Sequence, residues 1–214
     1  MNYNIISYSD QEKEDALKRR DVSKLINMIN DGIDINSLVI PKNTDILLVA
    51  LNKKHYFLFK EVLSRGFNCK SKNKFLYVHH AIRTQDIFFV KEIVEHYKSI
   101  GLDYNEYTKE KHNCLHIAAM EENIGDDIFI YLTQNGIKWA ERDKFGQTPL
   151  HILLRRNVII KEPILNLLKK NKKVFFIKDN LNMSAIDIMN SEILSKEWKD
   201  SNQLLIKVAK EIQK

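Results

Sequence analysis

Proline and glycine are scarce in this chain of 214 residues, at three and six. Their scarcity excludes long disordered linkers and collagen-like or mucin-like tracts. Cysteine occurs only as Cys69 and Cys114, too few for the disulfide framework of a small secreted fold. Reduced thiols in a cytosol-like, intracellular compartment are therefore expected. The opening residues, MNYNIISYSDQEKEDALKRR, lack the basic start and long apolar run of a secretory signal. A soluble effector exported without a cleaved signal reads the same way. No stretch approaches the roughly 18 consecutive apolar residues of a membrane span.

What is present is the balance of an ordinary soluble folded protein, 44% hydrophobic and 29% charged. The formal net charge of +6 favours acidic partners. Self-similarity is the stronger signal. Gly32, Gly66, Gly101 and Gly136 follow one another at 34, 35 and 35 residues, inside the aligned segments INDGIDIN, LSRGFNCK, KSIGLDYN and TQNGIKWA. A glycine just past a helix end supplies the left-handed conformation that stops the helix. Two short helical patterns precede each one. Leu47, Leu48 and Ala50 lead to Leu58, Phe59, Val62 and Leu63; Val78, Ala81 and Ile82 lead to Phe89, Val90, Ile93 and Val94. A recurring two-helix unit of this size predicts a stack of layers.

The segment from Gly146 to Asn157, GQTPLHILLRRN, carries Thr148, Pro149, Leu150 and His151. Leu115 and His116 open a second copy, LHIAA, and Ser184-Ala185-Ile186-Asp187 a degenerate third. On these residues the chain resembles the ankyrin-repeat family, whose repeat of about 33 residues carries Thr-Pro-Leu-His-x-Ala. The resemblance spans residues 10–214. It implies an all-α solenoid of five to six helix-turn-helix repeats with short hairpin tips, at about 10–42, 43–74, 75–107, 108–142, 143–178 and 179–214. The last repeat is a cap, and residues 1–9 are a leader. Pro149 suits a first helical turn and Thr148 a cap. The resemblance makes His116 and His151 hydrogen-bonding braces rather than catalysts. Four extra residues in the third repeat and two in the fourth are expected in surface loops. Leu204, Val208 and Ile212 are expected to form the buried face of a terminal helix.

In the ankyrin family partners meet the hairpin tips and the exposed positions closing each first helix. The resemblance carries these onto Lys18, Arg19, Lys53, Arg83, Met120, Arg155 and Arg156, with Lys144 and Phe145 at a tip. The second set is mostly cationic, which predicts a positive concave stripe facing an acidic segment of a partner protein. Trp139 is expected exposed near a tip, and Trp198 packed in the terminal segment.

His112-x-Cys114-x-His116 has the look of a metal or thiol–imidazole site, but zinc needs about four ligands. No second Cys/His cluster exists, so no metal is expected. The dispersed glycines build no phosphate-cradling loop, so no cofactor is expected. LLKKNKKVFF, from Leu167 to Phe176, reads as a basic turn between helices, with nuclear import or phosphate binding as the alternative. These readings make the chain a monomeric, non-catalytic protein-binding scaffold of the cytoplasm, in one version a host-directed effector. Two alternatives stand beside it. One is an IκB-like inhibitor of a Rel/NF-κB-type factor, similar in size but opposite in charge. The other is an enzyme or regulatory subunit using Cys114 and His116.

Overall fold

A computed structural model describes residues 7–40, 43–69, 76–192 and 194–213. Residues 1–6 of the expected leader lie outside the described residues. The chain divides into two compact units, Met1–Thr84 and Gln85–Lys214.

Side-chain caps start most helices of the first unit. Ser9 and Glu12 form a reciprocal capping box at the start of α1 (Asp10–Arg19). Asp21 then caps α2 (Val22–Asn30), accepting from Lys24 N. Gly32, at φ +89°, turns the chain out of that helix. A short hairpin, β1 (Val39–Ile40) against β2 (Thr44–Asp45), leads to α3 (Ile46–Asn52) and α4 (Tyr56–Ser64). The last helix of this unit is α5 (Tyr77–Arg83).

Asp45 joins two of these layers. Its carboxylate accepts from Leu48 N at 2.9 Å and from the Tyr77 hydroxyl at 2.6 Å, with both residues fully buried. Burial raises its pKa above the ordinary aspartate value, against the hydrogen bonds from Tyr77 and the main chain. Leu17, Leu25, Met28, Ile29, Leu47 and Phe59 are fully buried in the same unit.

The second unit opens with α6 (Ile87–Ser99), followed by α7 (Cys114–Met120) and α8 (Asp126–Gln134). Next come α9 (Pro149–Arg155) and α10 (Glu162–Lys170), a 3-10 turn at Lys172–Phe175, and α11 (Ala185–Asn190). Helices α12 (Lys196–Ser201) and α13 (Gln203–Ile212) follow. The pairs α7 with α9, α9 with α11, and α8 with α10 pack side by side, so first helices form one row and second helices another.

The four extra residues of the third repeat do not form a loop. Helix α6 has 13 residues where α2, α4, α8 and α10 have nine each. Four residues are close to one α-helical turn of 3.6, so the insertion adds a turn while rotating the apolar face by only about 40°. Phe89, Val90, Ile93, Val94 and Tyr97 all remain buried on it. The two extra residues of the fourth repeat do lie in a connection, 121–125 against 53–55 in the second.

Two further expectations are corrected. Trp139 is fully buried, its ring stacked on Phe129 at 5.7 Å and its Nε1–H donated to Thr133 Oγ1 at 2.9 Å. A large ring with one satisfied donor gains more inside a layer than at a tip. The buried face of α13 is Leu205, Val208 and Ala209, while Leu204 is 49% exposed. Trp198 packs inward and donates to the Val158 carbonyl at 2.9 Å. Buried Asn202 ties the terminal helices to the preceding repeat, accepting from Ile160 N at 2.8 Å.

Candidate protein-binding surface

The hairpin tips of the second unit are built by one device used three times. Asp143 Oδ1 accepts from the main-chain N–H groups of Phe145 and Gln147, each at 2.8 Å. Asp179 Oδ1 accepts likewise from Leu181 and Met183, at 2.9 and 3.0 Å. Thr108 Oγ1 does the same for Glu110 and His112, at 3.2 and 3.1 Å. Two residues before each following cap the chain passes through positive φ, at Lys111 (62°), Gly146 (74°) and Asn182 (61°). The side-chain acceptor stabilises a tight turn that would otherwise leave two N–H groups without partners.

Each tip is then fixed from two sides. The main chain joins neighbouring tips: Lys144 N donates to Glu110 O at 2.8 Å, and Asn180 N donates to Phe145 O at 2.9 Å. The histidines hold them from within. Thr148 N donates to His151 Nδ1 at 3.1 Å, so that nitrogen is bare and Nε2 carries the proton. Nε2 donates to the Met183 carbonyl of the next tip at 3.0 Å. His116 repeats the arrangement, with Asn113 N on Nδ1 at 3.2 Å and the Gln147 carbonyl on Nε2 at 3.0 Å. Burial pushes both imidazoles below the ordinary histidine pKa, although the carbonyl hydrogen bonds act in the opposite direction. Both are neutral braces at pH 7.

The residues expected to meet a partner fall into two sets. In the first unit Lys18, Arg19, Lys53 and Arg83 are exposed, and Lys18 is paired with Glu14 at 2.6 Å. In the second unit Lys144 and Phe145 are exposed on a tip, whereas Met120, Arg155 and Arg156 are half-buried. The two arginines are engaged inside the fold. Arg155 Nη2 is ion-paired with Asp179, and Arg156 Nη1 donates to the Ala119 carbonyl at 3.0 Å. Burial pushes the Asp179 carboxyl up, but Met183 N–H and the Arg155 guanidinium hold it below its ordinary value. The positive charge at this position therefore braces a tip. Met120 stands where the preceding repeat would offer the same arginine to Asp143. There Asp143 Oδ2 is buried without a hydrogen-bond partner, 3.4 Å from His112 Nε2.

Sequence reasoning missed the two tip aspartates, although a signal existed. Asp143 and Asp179 each lie five residues before a helix cap, Thr148 and Ser184. The tips expose two large apolar side chains: Phe145 is 58% and Leu181 75% accessible, at equivalent positions on adjoining tips. Lys109, Lys111 and Lys144 are exposed around them.

Cys114 is held as a protonated, enclosed thiol in this arrangement. Its side chain is fully buried, its sulfur lies 3.5 Å from the Tyr104 carbonyl, and burial pushes the thiol far above its ordinary pKa. Among the described residues no group of three His, Cys, Asp or Glu side chains is placed to hold a metal ion. No described helix is long and apolar enough to cross a membrane.

Capped helix pairs, left-handed glycines after the second helices and histidine-braced tips together define an ankyrin-repeat fold. The chain is similar to the crystal structure of EF0377, an ankyrin repeat protein, with a TM-score of 0.66 and 17% identity. That similarity covers 93% of this chain and 98% of the other. No family model matches the sequence, and no curated protein matches it.

Proposed function

We propose that this protein is a non-catalytic scaffold that binds another protein through the hairpin tips of its second unit. The observation that carries this reading is the pair Phe145 and Leu181. Two large apolar side chains stand in solvent on turns whose main chain is already fixed. A rigid, exposed apolar anchor loses little freedom when it is covered, which is where binding energy concentrates. Lys109, Lys111 and Lys144 outnumber the exposed Glu110 and give the rim a net positive sign, so the partner segment is apolar with acidic flanks. Arg155 supports the Asp179 tip from behind, while Arg156 holds helix α7 through the Ala119 carbonyl.

The test is capture of partners by the intact protein, by a Phe145→Asp/Leu181→Asp variant and by Lys207→Glu, at an exposed lysine of α13, as a control. Partners that bind the tips are retained by wild type and the control and lost by the tip variant, while circular dichroism stays unchanged. Retention of every partner by the tip variant refutes the reading.

A further inference from the structure

The segment Lys169–Lys173 holds a feature that the protein-binding reading does not use. Lys169, Lys170, Lys172 and Lys173 line a cleft of about 380 Å³, with Asn171 and Ala140 completing its wall. All four lysines are exposed, and none of them has a carboxylate partner among the described residues. Glu141, next in sequence to Ala140, is occupied by the Tyr107 hydroxyl.

Like charges held this close repel unless something of opposite sign lies among them. The carbonyls at the C-terminus of α10 offset Lys169 and Lys170, which sit in its last turn. Lys172 and Lys173 lie beyond that helix and have no such offset. The Asn171 side chain is tied down, its Nδ2 donating to the Leu167 carbonyl at 2.8 Å, so the turn between the two lysine pairs is fixed. The volume lies within the usual range for small-ligand sites and exceeds what one phosphate fills. No aromatic side chain lines it, so it offers no platform for stacking bases.

We infer that this cleft binds a compact ligand carrying several phosphate groups, with Lys172 and Lys173 supplying the charge that the fold itself leaves uncompensated. The chemistry recognised is a cluster of phosphate monoesters, whether on a free molecule or on a lipid headgroup.

The experiment is titration calorimetry with inositol hexakisphosphate on the full chain at physiological salt, comparing wild type, Lys172→Glu/Lys173→Glu and Lys207→Glu. Lys207 is an exposed lysine of α13 outside the cleft. Reversing two contact charges should weaken binding at least ~10-fold, since each pair contributes of the order of a screened Coulomb contact. Lys207→Glu should leave affinity unchanged. Co-sedimentation with vesicles containing a bisphosphorylated phosphoinositide separates the sources: pelleting that the double variant loses assigns a headgroup, and its absence assigns a free ligand. The inference is overturned if the calorimetric titration shows no saturation, or if both variants lose affinity equally. It is also overturned if single-stranded RNA alone binds. Unchanged circular dichroism and melting temperature confirm that the variants fold.

Discussion

Replacing His151 with alanine tests the bracing role that the tip geometry assigns to it. The change deletes the Nε2–H bond to the Met183 carbonyl, a net contribution of about 1 kcal/mol. It also leaves Thr148 N–H without its acceptor in a fully buried residue, a further cost of about 1–3 kcal/mol. The void left by a buried ring adds to both. The expected loss is about 3 kcal/mol, a large share of the roughly 5–15 kcal/mol that holds a typical fold. Urea unfolding followed by circular dichroism should show it as a lower midpoint at unchanged slope. His151→Gln separates the contributions. Glutamine at that position can still accept from the cap N–H but is not fixed against Met183, so it should recover about half of the loss. A loss below about 0.5 kcal/mol for alanine, or a glutamine variant as unstable as alanine, refutes the bracing argument.

The remaining predictions follow from the same geometry. Met120→Arg places a guanidinium where Arg155 serves the next repeat, facing the unpartnered Asp143 Oδ2, and should stabilise by about 1 kcal/mol in thermal melts. No gain would mean that His112 already satisfies Asp143. Gly146→Ala should cost clearly more than Gly32→Ala, measured by urea midpoints. Both glycines have positive φ, but a Cβ at Gly146 would lie 2.9 Å from Asn180 N, whereas at Gly32 nothing lies within 4 Å. The second substitution should cost only about 1 kcal/mol. Stability should also fall on acidification. Burial lowers His80 from 6.5 to about 4, with Arg83 adding to the shift, so the unfolded chain takes up its proton first. That contribution is complete above pH 6.5 and is lost as pH falls from 6.5 towards 4. A flat stability profile across that window refutes it.

The layered architecture was readable because its devices are local and periodic. A left-handed glycine after four of the five second helices and a cap-proline-leucine-histidine start need no knowledge of the rest of the chain. What the sequence hid was pairwise. Nothing in the string shows that Arg155 is bound to Asp179, because the partners are 24 residues apart and a lone arginine reads as a surface charge. Trp139 sits beside a tip in sequence, yet its burial depends on Phe129 and Thr133 in the preceding helix. The added residues of the third repeat could have been a loop or a helical turn. Only the spacing of Val90, Val94 and Tyr97, continued without a break, favours the turn.

Neighbouring tips are joined through peptide groups, Lys144 to Glu110 and Asn180 to Phe145, which every ordinary residue carries. The side chains displayed there can consequently be exchanged without loosening the framework that presents them. Surface identity and scaffold integrity are thereby uncoupled, so new recognition can evolve at residues 145 and 181 while the fold's stability is left almost untouched.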